Sequence, residues 1–382
     1  MDTTERTWPL IAVLLLFFTG AGASLPVLPA AVRAAGAGPT SLGVALGLFA
    51  FAALAGRLVA GRLTDRRGRV LTLRIGLAGT VLAGAVFAAG GSVATIGTAR
   101  VLHGLADALL YTAASAYVLD RTPADRRAQA LSLLGAGIWA GYALGPLVGA
   151  FLDLRRVGLL IAVGALLGLV LTKGLVESTV DGPRATGMRA LLPRGVALPG
   201  LALGLGNLGY AALVGFLVVH LDDGGGNGAL ALTCFSVAVL SGRLLVVPAA
   251  ARLGILRTLP YALLAMAAGL VVIAGTRSTL VAGAAAALVG LGYCLPFPAL
   301  AMLVADRVPA SQRGAAIGAL TAFYDVFVGV GSIGAGLVAA RSGTPAVFLL
   351  AAVGVVGAAA VNVALGRQHR LERVLADAAP DV

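Results

Sequence analysis

The sequence predicts an all-α membrane protein of twelve transmembrane helices, arranged as two pseudo-symmetric six-helix bundles. Three observations lead there. First, only 12% of the 382 residues are charged and 59% are hydrophobic, with a mean hydropathy of +0.98. A soluble domain carries about 25% charged residues, so too few are present here to cover a water-facing surface. Second, the apolar residues come in long runs, among them Leu10–Ala30, Val70–Ala89, Val157–Val176, Leu259–Gly275 and Val347–Leu365. A run of about 20 such residues crosses the hydrocarbon core as a helix. Third, the chain repeats itself. Phe49–Leu58 aligns with Phe235–Leu244 at six of ten positions, and Asp120–Arg127 aligns with Asp306–Arg313, both at an offset of 186 residues. Two charged matches at one offset point to duplicated halves.

Lipid offers backbone groups no partner, so each crossing must be helical. Spans are predicted at 8–31, 40–61, 70–91, 95–118, 128–152, 157–177, 195–220, 228–250, 256–276, 279–305, 314–339 and 345–366. The first run passes through Pro26 and Pro29 and outlasts the 7–15 residue core of a cleaved signal, so it is expected to stay as a span. Short connections make neighbouring helices antiparallel, and the many Gly and Ala residues suit close helix contact in a membrane. The longest polar stretch, 178–194, divides the chain into an N-terminal bundle (1–177) and a C-terminal bundle (195–366), followed by a tail (367–382).

The net charge of +12 does not mark a nucleic-acid binder, because the arginines punctuate apolar runs instead of forming a stripe. With the N-terminus inside, Arg33, Arg155, Arg156, Arg277 and Arg341 fall outside, Arg57, Arg100 and Arg243 fall within or at the ends of spans, and the remaining twenty Lys and Arg lie on the inner side. This asymmetry predicts a multi-pass protein of the cytoplasmic membrane with both termini cytoplasmic. Cys234 and Cys294 lie in apolar stretches with no metal-ligand spacing and are read as unpaired.

Between spans two and three stands Gly61-Arg-Leu-Thr-Asp65-Arg66-Arg-Gly68-Arg69. Gly61 would permit close helix approach, Gly68 a tight turn, and Asp65 pairing with arginines across the boundary between halves. Asp120 and Arg121 belong to the repeated segment at the end of span four. On that span, Arg100, His103, Gly104, Asp107, Tyr111 and Ser115 share one helical face. Charges at membrane depth are costly and normally face a cavity or each other. Arg100 and Asp107 are two turns apart, with His103 placed to bridge them. Span five carries Gly137, Gly141, Gly145, Pro146 and Gly149, a flat groove with a proline bend. In span eleven Asp325 stands beside Tyr324; a carboxyl there holds its proton unless a cation pairs with it. Trp139, Tyr142, Asn207, Tyr210 and Tyr293 are further cavity candidates, and Tyr293-Cys-Leu-Pro296-Phe-Pro298 implies a bent tenth helix.

The segment 61–69 resembles the cytoplasmic signature of the major facilitator superfamily, departing from it at Val70, where a basic residue is usual. Arg100-Val-Leu-His-Gly104 resembles a second signature of that family, and the glycine-proline pattern of span five resembles the one linked with its exporters. The resemblance implies the major facilitator fold and alternating access. It makes Asp65 and Arg69 part of a conformational latch, asymmetric because the second half reads Ala251-Arg252-Leu253-Gly254. Many drug–proton antiporters of the family carry an acid in the first span; here none lies between Trp8 and Val32.

No phosphate-cradling loop, zinc cluster or Ser/His/Asp arrangement is visible, which excludes enzyme and ATP-driven pump. The expectation is proton-coupled efflux of a small hydrophobic or amphipathic compound (a drug, natural product or metabolite), with Asp107 and Asp325 as proton sites. Its partners would be the substrate, protons and the bilayer, the carrier acting as a monomer with the proton gradient as energy source and no cofactor. A sugar or metabolite importer and a non-transporting sensor are the alternatives.

Overall fold

The computed structural model describes residues 8–123, 126–177, 195–308 and 313–377, the side chains of Leu58, Ala128, Gly314, Ala315 and 369–377 excepted. The predicted linker 178–194 lies outside the described residues. The first half comprises α1 (Trp8–Ala34), α2 (Pro39–Arg67), α3 (Arg69–Ala89), α4 (Val93–Arg121), α5 (Arg127–Gly149) and α6 (Leu154–Leu171). The second comprises α7 (Ala197–Asp222), α8 (Gly228–Leu253), α9 (Ile255–Ala274), α10 (Thr279–Tyr293), α11 (Pro296–Asp306) and α12 (Arg313–Asp377).

Two features reconcile this order with twelve crossings. The tenth span is broken at Cys294 and Leu295, as Pro296 predicts, so α10 and α11 cross together. The apolar stretch Ala316–Gln368 holds 53 residues, about 80 Å as one rod, far beyond the ~30 Å hydrocarbon core. Gly343, at φ 78° and ψ 170°, breaks it into two arms that form spans eleven and twelve. An even number of crossings returns both chain ends to one face, here the termini face; the other is the far face.

Chain turns at the far face are capped by side chains. The N-termini of α4, α6, α8 and α10 are closed by Ser92, Asp153, Asn227 and Ser278, each accepting from a backbone N–H three residues on. Such caps each stabilise by about 1 kcal/mol.

Within the first half α1 packs on α5 and α6, and α4 on α2 and α3; within the second α7 packs on α12, and α10 on α8 and α9. Two seams join the halves, α2 against α12 and α5 against α8. The α2–α12 seam is a wedge. Toward the far face, a Cβ on Gly43 would collide with main-chain atoms of Ser332 and Gly336, and one on Gly47 with the Gly329 carbonyl. Toward the termini face, a Cβ on Gly61 or Gly318 would meet nothing within 4 Å. The close approach expected at Gly61 is therefore absent. The far face is further tied by Arg33–Asp223, 3.1 Å across the halves.

Candidate functional site

Where the wedge begins to open, three charged side chains meet. Arg57 on α2 donates from Nε to Asp325 on α12 at 2.6 Å and from Nη2 to the same carboxylate at 3.4 Å. Its Nη2 also lies 3.7 Å from Asp107 on α4. The short bond crosses the boundary between halves, while the longer contact stays within the first half, so one guanidinium is shared unevenly by two carboxylates. Both acids are buried, Asp107 at 7% exposure and Asp325 at 3%. Buried charges persist only when paired and hydrogen-bonded. Tyr111, one turn past Asp107, turns its ring to the Arg57 guanidinium at 5.7 Å.

Sequence reasoning placed both acids in spans but did not choose Arg57 as their partner. The signal was present: a span arginine in the repeated segment, and two acids with none of their own.

The rest of the α4 stripe divides. Arg100 lies over the Phe49 ring at 4.4 Å and donates from Nε to the Ala45 carbonyl at 3.4 Å. His103 does not bridge Arg100 and Asp107. It is fully buried among Phe17, Phe49 and Phe87, with ring centres 4.7, 5.6 and 6.4 Å away, and neither ring nitrogen has a hydrogen-bond partner. The helical face put the three residues on one stripe, but rings from α1, α2 and α3 surround the imidazole instead.

Beside the charged cluster the predicted aromatic residues converge from both halves. Trp139 and Tyr142 of α5 meet Tyr293 at the end of α10, with Trp139–Tyr293 at 5.8 Å and Trp139–Tyr142 at 5.6 Å. Tyr210 of α7 stacks on Tyr293 at 4.9 Å and 12°, and the Tyr293 hydroxyl donates to that of Tyr324 at 3.0 Å. Phe235 of α8 closes the group against Trp139, Tyr210 and Tyr293. Arg243 of α8 faces the Trp139 ring at 5.4 Å. Asn207 is buried one turn before Tyr210, and its amide nitrogen has no partner. A recess of 640 Å³ at the far face, lined by Pro26, Ala30, Gly149, Asp153, Asp222 and Asn227 among others, holds none of these residues.

The α5 groove receives α1. Cβ atoms on Gly137, Gly141, Gly145 and Gly149 would strike the α1 main chain at Ile11, Leu15, Gly22 and Ala23, and the Pro146 ring faces Gly22. Glycines at every fourth position thus let two backbones touch along three turns.

At the termini face, Gly68 makes the α2–α3 turn at φ 101°. Asp65 does not reach the second half; it is exposed and lies 3.8 Å from Arg69. Arg69 instead ties α3 to α4 through Asp120 at 2.7 Å, and bonds the Thr64 carbonyl at 2.9 Å. Arg121 donates to the Val176 carbonyl at 2.8 Å, and the next residue, Glu177, accepts from the N–H groups of Val70 and Leu71 at 3.0 Å each. Glu177 thereby caps α3, a role nothing in its local sequence announced. Arg66 is exposed.

The family model described as Major Facilitator Superfamily matches residues 10–226 and again 200–380. An uncharacterised MFS-type transporter of Burkholderia mallei (strain SAVP1) is 31% identical over 392 residues, covering 97% of this chain and 94% of its own. Among solved structures, the human organic anion transporter MFSD10 aligns with a TM-score of 0.72 at 18% identity, over 95% of this chain and 100% of its own. The nucleoside transporter NupG gives 0.74 at 15% identity, over 94% and 99%. The two matches, which overlap over 200–226, together span nearly the whole chain, and the chain belongs to the major facilitator superfamily of membrane transporters.

Proposed function

We propose that the protein is a proton-coupled exporter of small hydrophobic or amphipathic compounds, working as a monomer by alternating access with both termini in the cytoplasm. The observation that carries this reading is the sharing of Arg57 between Asp325 across the seam and Asp107 within its own half. With both acids ionised, the cluster holds one positive and two negative charges. A single proton neutralises it. Placed on Asp325, that proton removes the charge from the only short bond in the cluster that spans the halves, and Arg57 keeps Asp107 as its partner. The second half is then free to move relative to the first. Placed on Asp107, the proton leaves the cross-seam bond intact. Proton binding is thereby linked to whether the halves are tied at mid-depth.

Two features support outward transport and orientation. The Gly-Pro pattern of α5 resembles that of exporters and forms a groove that takes another helix, α1, and the arginine asymmetry supports a cytoplasmic termini face. The aromatic cluster beside Arg57 offers ring faces and no amide or carboxylate side chain, which suits an amphipathic compound better than a sugar.

A susceptibility screen of a deletion strain against amphipathic compounds identifies a cargo. That cargo is then offered to inverted membrane vesicles under an imposed pH gradient. Asp325→Asn is expected to cut gradient-driven flux at least about tenfold, comparable with losing one charge-assisted hydrogen bond, while counterflow without a gradient persists. Undiminished gradient-driven flux in both Asp107→Asn and Asp325→Asn would remove the proton sites from this scheme.

A further inference from the structure

The two seams between the halves are copies of each other. The offset of 186 residues that maps Arg57 onto Arg243 also maps Trp139 onto Asp325 and Asp107 onto Tyr293. In the α2–α12 seam the arginine meets two carboxylates. In the α5–α8 seam the corresponding arginine meets an indole and a phenol at the corresponding positions. Its guanidinium faces Trp139 at 5.4 Å, Tyr293 is among the groups that act on it electrostatically, and among the described residues it forms no ion pair, Asp107 and Asp325 both being engaged by Arg57. Its Nε is buried without a hydrogen-bond partner. Both acids are replaced in this copy, yet the cation is retained.

A cation held at membrane depth without a counter-charge is costly, and ring faces offset only part of that cost. Arg57, Arg100 and Arg243 lie within the helices of the spans, against the two aspartates Asp107 and Asp325. Arg100 is packed on Phe49 and bonded to the Ala45 carbonyl, which leaves Arg243 as the cation whose donors are least engaged. It stands at the edge of the aromatic cluster that joins the halves.

We propose that Arg243 anchors the anionic group of the transported compound, which is an amphipathic organic monoanion. A carboxylate matches the planar fork of a guanidinium. The body of the compound lies against Trp139, Phe235, Tyr210 and Tyr293. The proposal rests on reading the chain as an exporter of small amphipathic compounds, and it narrows that class to anions.

The chain has two tryptophans, Trp8 and Trp139, so Trp8→Phe leaves Trp139 as a lone reporter in the site. The full chain in detergent micelles is titrated with 4-phenylbutyrate, 4-phenylbutanol and 4-phenylbutylamine, isosteres that differ in charge. The carboxylate is expected to change Trp139 emission saturably and to bind about tenfold more tightly than the alcohol, the scale of a charge-assisted hydrogen bond. Arg243→Gln abolishes that preference and Arg243→Lys keeps part of it. Should Arg243→Gln fail to fold, Tyr293→Asp decides: it restores an acid at the position matching Asp107, and is expected to lose carboxylate binding and gain affinity for the amine, whereas Tyr293→Phe keeps the carboxylate preference. Equal binding of the three probes, a carboxylate preference that survives Arg243→Gln or Tyr293→Asp, or no saturable response to the carboxylate overturns the proposal. These readouts need neither gradient nor flux, so their failure is distinct from a failure of proton-coupled export.

Discussion

Gly68, between α2 and α3, has φ 101°, and Gly254, 186 residues later between α8 and α9, has φ 92°. The two turns share a glycine at positive φ and differ in nearly everything around it. Around Gly68 stand Asp65, Arg69, Asp120 and the Glu177 carboxylate capping α3. Around Gly254 the matching positions are Ala251 and Ile255, α9 has no side-chain cap, and Asp306, the counterpart of Asp120, is exposed with no ion pair among the described residues. Duplication kept what the main chain needs in both copies and left the ionic fastening in one. Among the described residues, the first half is the one fastened by ion pairs at the termini face.

Five substitutions sharpen or break this comparison, each read as thermal unfolding of the purified protein. Gly68→Ala has the largest expected effect, because it forces an unfavourable φ and drives its Cβ into the Glu177 carboxylate. A loss of about 2–4 kcal/mol is expected, the backbone strain of about 1–3 plus about 1 for the displaced cap. Gly254→Ala has only the flexible Arg257 side chain to push aside and should cost about 1–3 kcal/mol; equal losses would mean that Glu177 contributes nothing. Asp120→Asn comes next, at about 1.5–3 kcal/mol for a charge-assisted bond to the buried Arg69, against a change within about 0.5 kcal/mol for the exposed Asp306→Asn. A smaller effect than that of Asp120→Asn is expected for Glu177→Gln, about 0.5–1 kcal/mol, since an amide oxygen can still accept from the α3 N-terminus but brings no charge to it. A melting point for Asp306→Asn as low as that for Asp120→Asn would dissolve the asymmetry between halves.

Much of the fold could be read from residues alone, because the membrane makes each crossing a long apolar helix and Gly or Pro marks each break. Pro296 announced the interruption at Cys294–Leu295, and the gap expected between spans eleven and twelve contains Gly343. The aromatic cluster was legible as well: five residues on four different spans were candidates, and they meet. What sequence could not supply was the crossing of helices. The Arg57–Asp325 bond joins residues 268 apart, and its existence depends on how α2 and α12 lean together. His103 failed for the same reason: periodicity orders residues along one helix and is silent about the three phenylalanines that arrive from others. Glu177 lies past the end of α6, where no motif distinguished it, and only the return of the chain beside α3 gives its carboxylate two amides to accept.

The wedge between α2 and α12 narrows to a place where Gly43 and Gly336 touch main chain to main chain. A fulcrum without side chains has no rotamers to reset, so one half can tilt upon the other there as a smooth bearing would. The same bareness leaves no slack: a single methyl group at either glycine would act as a shim, holding the jaws at one angle.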